Sequence, residues 1–383
     1  MVTISDAEEV LKTYYLDAIT TQLNAEVSPF YNAIAKTSEN VFGKYARIDI
    51  IKNGMAAVKA CEEDDDLPSP QVSRYYYIEE KLKNLYGTIE ISDKLIRATS
   101  DSSVSLVNML NTEMEGLIAD AKVNFARMLY GNENGYLTSI VRRISSYVLQ
   151  VEEAKSYFVN HVVDIKTTSS TITATITKVD RVNNTITITK NLDSYSFDGG
   201  EAITLSGMAG KELKGLSYLF DGQYCYGYDK TAESFFKPYV TSVAESALTE
   251  DDLIKAIDEI EETSGGKINM ILCSYKTRRL IAKLFASSKQ IVNTTDIQAG
   301  CTSIFVNTVP VYADAYCPDG KIYFLNTDDF VLCQLCDWSW LENESGRVLT
   351  QVPGKAAFSA TLVKYAELIC KRPCGQGLIK LTD

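Results

Sequence analysis

The sequence predicts an α+β protein made of several units, and three observations carry that reading. Val107, Leu110, Met114, Leu117, Ala121, Phe125 and Met128 recur at steps of three or four, the period of a long amphipathic helix. A threonine-rich stretch, 167–189, alternates with period two instead. Beyond residue 249, helix and strand signals interleave, which implies a sheet with helices packed on it. The 383 residues suffice for two or three folding units at ~100–200 residues each, and a 45% hydrophobic content can fill their cores. Fifty acidic side chains against 38 basic ones leave a net charge of −12, which opposes a protein whose main task is gripping phosphate backbones.

The elements follow in order. Ser5 with Glu8 forms a capping box ahead of Val10, Leu11, Tyr14, Tyr15, Ala18, Ile19 and Leu23, so an amphipathic helix is expected first. Pro29 and Gly43 then punctuate a segment whose apolar residues, Phe30, Tyr31 and Ile34, are too few for a core of their own. Residues 45–60 and 72–92 read as two extended arms joined by five consecutive acids (Glu62, Glu63, Asp64, Asp65, Asp66) and two prolines, a combination that belongs at a solvated tip. This predicts a long, protruding hairpin that must rest on another surface, with a second copy of the chain as a candidate. The helix over 103–130 would be a strut of ~42 Å at 1.5 Å per residue, closed by Gly131 in the left-handed conformation. Residues 172–179 and 185–189 form a hairpin about Asp180, and with a strand at 201–205 they predict a small all-β module inserted at 144–208. Thr249 caps a helix ending at Gly265; a strand follows at 268–273, and Ser274 caps a second helix. Further strands are expected at 303–306, 309–313, 321–325, 331–335, 358–369 and 378–381.

Chemistry leaves few traces. No phosphate loop, dinucleotide fingerprint or nucleophile elbow occurs, and the single histidine, His161, has no nucleophile beside it, so no cofactor and no enzymatic activity are expected. The nine cysteines are scattered and odd in number, as reduced thiols would be, and with no secretory signal and no apolar run near ~20 residues the expectation is a soluble compartment and no membrane contact. Cys333 with Cys336 and Cys370 with Cys374 offer two pairs for a zinc site, but the first pair sits in an expected strand rather than a knuckle, so free thiols are the preferred reading. A thiol or zinc-dependent cytoplasmic enzyme stays as one alternative, and a β-rich attachment protein led by 144–208 as another. The acidic tip lacks the alternating ligands and central glycine of a calcium loop. Its other possible role is contact with basic residues of another subunit, for which Arg74, Lys81, Lys83, Arg278 and Arg279 are candidates. The tyrosines cluster at 75–77 and at 224, 226 and 228, and in so acidic a chain they favour a protein interface over stacked bases.

This order of elements resembles the major capsid protein of tailed bacteriophages, the Hong Kong ninety-seven type fold. The arm, the hairpin and the helix ending at Leu129-Tyr-Gly-Asn-Glu-Asn-Gly135 carry the likeness, as does the strand, loop and strand from Val309-Pro-Val-Tyr-Ala-Asp-Ala to Lys321-Ile-Tyr-Phe-Leu325. The resemblance implies an N-terminal arm (1–44), an extended hairpin loop (45–92), a peripheral domain with a spine helix (93–143), the inserted β module (144–208), an axial domain (209–356) and C-terminal strands returning to the peripheral domain (357–383). It also implies a structural protein that self-assembles through pentamers and hexamers into an icosahedral or related shell around packaged double-stranded DNA, touched weakly and without sequence preference. A separate scaffolding protein, since the sequence begins at the arm, and a portal are the implied partners. The virion is its implied place, after synthesis in the host bacterial cytoplasm. An encapsulin-type nanocompartment shell is the alternative within the same fold.

Overall fold

A computed structural model describes residues 28–51, 60, 75–94, 103–167, 170–287, 304–344 and 346–382. The helix expected near residues 10–23 and the acidic tip lie outside these residues. Helix α1 (Pro29–Ala33) begins where the Ser28 hydroxyl accepts the Phe30 N–H at 3.3 Å and Pro29 fills the first position, where no amide partner is needed. Its two aromatics are wholly buried, Phe30 edge-on to Phe330 at 5.1 Å and Tyr31 edge-on to Phe125 at 5.2 Å. Strand β1 (Ala35–Thr37) follows, then β2 (Val41–Phe42), β3 (Tyr45–Ile51) and β4 (Tyr75–Lys81), which pair antiparallel as a three-stranded ribbon. The second arm of the expected hairpin does not run on to Ser92. It breaks at Leu82, whose side chain is buried and whose N–H is taken by the Lys44 carbonyl. Strand β5 (Lys83–Ser92) then leaves the ribbon for another sheet.

Helix α2 (Ser103–Tyr130) spans the residues its period predicts. Gly131 does not adopt the left-handed conformation expected of it; its N–H closes a tight turn on the Met128 carbonyl, and Gly135, at φ 72°, makes the reversal instead. Next come β6 (Tyr136–Arg143), β7 (Val148–Val151), β8 (Val162–Lys166), β9 (Thr171–Asp180), β10 (Thr185–Ile188) and β11 (Ala202–Leu205), closed into a barrel in the order β10-β7-β6-β11-β8-β9. Closure leaves no sheet edge. Inward side chains such as Ile140, Leu149, Val163, Ile165, Ile176, Ile186 and Ile203 are at most 1% exposed and form a core separate from the rest of the chain. The Asp180 carboxylate accepts the N–H groups of Val182 and Asn183, and Asn184 takes φ 50°, which makes the β9–β10 turn. The module thus starts at Tyr136 rather than at 144. Strand β6 escaped notice because only Ile140 along it is fully buried, so it shows no alternation.

Helix α3 (Leu216–Phe220) returns the chain beneath α2, and β12 (Tyr224–Cys225) and β13 (Tyr228–Asp229) make a small hairpin. Then follow β14 (Tyr239–Ala244), α4 (Glu250–Ser264), β15 (Met270–Cys273), α5 (Tyr275–Ser287), β16 (Ile304–Val306), β17 (Val309–Ala313) and β18 (Lys321–Leu325). Thr249 and Asp252 form a reciprocal capping box on α4, and Gly265 ends it at φ 64°. Ser274 accepts the Thr277 N–H to start α5.

The last strands are β19 (Phe330–Trp340), β20 (Thr350–Gln351), β21 (Ala357–Cys370) and β22 (Gly377–Thr382). Strand β21 pairs antiparallel with β5, β19 and β20, and β1 adds parallel to β19, giving the five-stranded sheet on which α2 lies. Two expected domain limits are therefore corrected. Strands β19 and β20, placed with the axial domain, belong to the sheet beneath the spine helix. Conversely β22, expected to return to the peripheral domain, sits between β14 and β18 inside the axial sheet, ordered β14-β22-β18-β15-β17-β16. It does so because Leu378 and Ile379 point to opposite faces and each finds a core. Gly377 lets α4 come close; a Cβ there would sit 2.3 Å from Ile260. Among the described residues no helix is long and apolar enough to cross a membrane.

Candidate assembly surface

The β2-β3-β4 ribbon has two unlike faces because successive side chains alternate. Ala46, Ile48, Tyr76 and Ile78 point inward and are buried. Tyr76 sits among Tyr228, Phe235 and Phe236, with ring centroids 5.0 to 5.6 Å away, and its hydroxyl bonds to Glu233. The Tyr228 hydroxyl donates to the Tyr77 carbonyl at 3.1 Å, so the clamp also holds the strand backbone. The other face carries Phe42 (65% exposed), Tyr45 (40%), Tyr75 (65%) and Tyr77 (55%). Arg47 lies over the Tyr77 ring at 5.1 Å and bonds Asp49 at 3.2 Å. Four aromatics on one short ribbon, interleaved with Arg47, Glu79 and Lys81, form a surface of the composition found at protein interfaces.

The outward side of α2 is the opposite in kind. Glu113, Glu115, Gly116, Ala119 and Asp120 are exposed there, small or acidic, and nothing lies within 4 Å of where a Gly116 Cβ would stand. The aromatic ribbon face, by contrast, is charge-balanced, with Arg47 bonded to Asp49 and Glu79 two residues from Lys81.

Beneath the ribbon an ionic frame joins it to the spine helix and to β21. Arg127, near the end of α2, grips Glu212 through two bonds of 2.9 and 2.6 Å, both side chains being buried. Lys214 bonds Glu80 of β4 at 2.7 Å; desolvation opposes its charge, but Glu80 and Glu133 more than offset this and raise its pKa. Glu367 is fully buried, and desolvation pushes its carboxyl up to about 8 against the N–H groups of Lys214 and Leu368. Among the described residues, one of its oxygens has no hydrogen-bond partner. Lys364, also fully buried, meets Asp337 and Gln334 at 2.5 and 2.9 Å between the rings of Phe125 and Trp338, and desolvation lowers its pKa.

The residues singled out in the sequence are scattered over this molecule. Glu62, Glu63, Asp64, Asp65, Asp66 and Arg74 lie outside the described residues. Lys81 is exposed at the end of β4, opposite Tyr45. Lys83 is half-buried beside Glu133 of its own chain at 3.6 Å. Arg278 lies over the Tyr275 ring at 5.4 Å and Arg279 is exposed, both on α5. Sequence reasoning missed Phe42 and Tyr45, separated by a turn, and the frame residues Arg127, Glu212, Lys214, Lys364 and Glu367, whose charges carry no mark of burial. Only Lys364 and Glu367 left a signal, as charges within an otherwise apolar strand. Cys333 and Cys370 are both buried in adjacent strands; desolvation pushes the Cys333 thiol up to about 11 and Cys370 well above its ordinary value. Among the described residues no group of three or more metal-ligating side chains converges.

Comparison with known proteins assigns this architecture. The sequence model of the SU10 major capsid protein family matches residues 12–346. Among solved structures, the chain is similar to one in the cyanophage A-1(L) capsid asymmetric unit, with a TM-score of 0.55 at 11% identity over 95% of this chain and 93% of that one. It is also similar to the capsid of the native GTA particle, with a TM-score of 0.51 at 12% identity over 94% of this chain and 91% of the other. No curated protein matches the sequence. Both structural likenesses concern the fold, and the match over 12–346 concerns the family. The chain therefore belongs to the SU10 major capsid protein family and is a structural subunit of a phage shell.

Proposed function

We propose that copies of this chain build the shell by laying the aromatic face of one ribbon across the acidic face of a neighbour's spine helix. The observation that carries this reading is the contrast across the ribbon: one face packed on the body through Ala46, Ile48, Tyr76 and Ile78, the other presenting Phe42, Tyr45, Tyr75 and Tyr77 to solvent. Exposed aromatic area on so small a ribbon is covered only by association. In the same reading the acidic residues Glu62 to Asp66 are candidate contacts for Arg278 of a neighbour. Such contacts are heterologous, so they close into rings, and five- and sixfold rings close into an icosahedral or related shell around double-stranded DNA. A scaffolding protein and a portal are the further partners of this reading, with synthesis in the host bacterial cytoplasm before incorporation into the virion.

The test is electron microscopy of the full chain, alone and with a candidate scaffolding partner, beside a Tyr75→Ser, Tyr77→Ser double variant and a chain lacking residues 61–70. The expected outcome is particles from the unaltered chain and folded but unassembled protein from both variants. Normal particles from the double variant would refute the role of the ribbon.

A further inference from the structure

The axial sheet carries two helices on one face, and they are of opposite charge. Leu253, Ile257 and Ile260 of α4 and Ile281 of α5 share one core with Ile271, Val311, Ile322, Phe324 and Ile379 of the sheet. Helix α4 packs at the β14–β22 edge and α5 at β17, three strand spacings from β22, or ~14 Å at 4.8 Å each. Helix α4 has seven acids and one lysine; α5 has four basic residues and no acid.

Much of this charge is used internally. On α4, Asp252 serves the capping box, Glu259 meets Lys255 at 3.6 Å, and Glu261 accepts the Ile268 N–H at 3.0 Å. On α5, Lys276 meets Glu245 at 3.1 Å and Arg278 rests on Tyr275. Apart from the half-buried Glu250 in the first turn, that leaves Asp251, Asp258 and Glu262, all exposed and spaced seven and four residues apart, as one stripe on α4. It leaves Arg279 and Lys283, exposed four residues apart, as one stripe on α5. Among the described residues none of these five forms an ion pair.

We propose that adjacent copies in a ring meet edge to edge through these stripes, with Asp258 and Glu262 of one copy against Arg279 and Lys283 of the next. This deepens the shell reading and rests on it. Acid stripe against acid stripe, or base against base, would leave like charges facing. Head to tail, each copy neutralises the next, and the same contact repeats until the ring closes. The pairing also fixes direction, because the acidic edge accepts a basic edge and rejects a second acidic one.

The experiment uses the full chain in three charge variants, with assembly followed by light scattering and electron microscopy. Arg279→Glu with Lys283→Glu, and separately Asp258→Lys with Glu262→Lys, should each slow assembly on the order of tenfold or more. The combined four-site swap should restore it, because the complementarity is inverted rather than lost. All four positions are exposed, so thermal melting of the unassembled variants should match that of the unaltered chain. Assembly at the unaltered rate from either reversal, or reversals that slow assembly with a swap that does not rescue it, overturns the contact while leaving the shell reading intact. An unaltered chain that never assembles overturns both.

Discussion

The inserted barrel and the ribbon are both small, β-rich and set apart from the central body, yet they solve burial in opposite ways. The barrel closes on itself; its inward residues form a complete core, and its edges are all paired. The ribbon has three strands and one buried face, and that face is covered by residues far along the chain, Tyr228, Phe235 and Phe236. Among the described residues of the same chain, nothing covers its other face. The contrast teaches that similar local sequence texture can mark a self-sufficient module or a ribbon with one open face. What separates them is whether apolar residues occur on one face of each strand and meet partners within the segment.

The largest effect that could break this comparison concerns autonomy. A fragment of residues 132–210 should fold alone, with a cooperative thermal transition and dispersed amide resonances, while a fragment of residues 40–94 should not. Failure of the barrel fragment to fold would show that its core is insufficient. Next in size is the joint between barrel and body. A Cβ on Gly215 would lie 2.3 Å from the Met128 carbonyl oxygen and 2.5 Å from that of Leu129, so Gly215→Ala should cost ~3 kcal/mol or more, read as a fall in the denaturant midpoint of the body.

The third effect is a pH dependence of the body that rests on Glu367. Burial raises the carboxyl of Glu367 from its ordinary 4.5 to about 8 in the folded state, so the folded state holds a proton that the unfolded chain releases. Stability should therefore fall as pH rises from about 4.5 to about 8, by several kcal/mol in all. Glu367→Gln should flatten this dependence in equilibrium unfolding, leaving the transition of the isolated barrel, which lacks the residue, unchanged. An unaltered slope in the variant would remove Glu367 as its source. The smallest effect is on the ribbon itself: Tyr75→Ser with Tyr77→Ser should shift unfolding of the unassembled chain by less than ~1 kcal/mol, since both rings are exposed. A larger shift would mean that the outer face is already packed in the single chain.

The sequence made some of this architecture legible and concealed the rest for identifiable reasons. The spine helix, the α4 capping box and strands β17 and β18 were visible because each has its own periodicity or cap within a few residues. Strand β6 was hidden because its pairing with β7 and β11 supplies what its pattern lacks. The destination of β22 was equally hidden, since two-sided burial says that a strand is central but not in which sheet. Of the candidate surface, the tyrosines at 75–77 announced themselves, but which of them faces outward depends on register, and Tyr76 turns out to be the one wholly committed to the body. The ionic frame was illegible because Arg127 and Glu212 are 85 residues apart and meet only when the barrel is complete between them.

That last arrangement has a consequence for how such a chain can change. The barrel leaves the body just after α2 and comes back at Glu212, where the carboxylate locks onto Arg127 a few residues from the exit point. A Cβ on Gly135, at the entrance, would lie 3.2 Å from the Met208 carbonyl oxygen at the way out. The doorway is thus narrow and already bolted shut from the body's side. A different domain, or a tight two-residue bridge, could be spliced in at this point while the rest of the subunit kept its shape, which makes it the natural place to exchange one module for another.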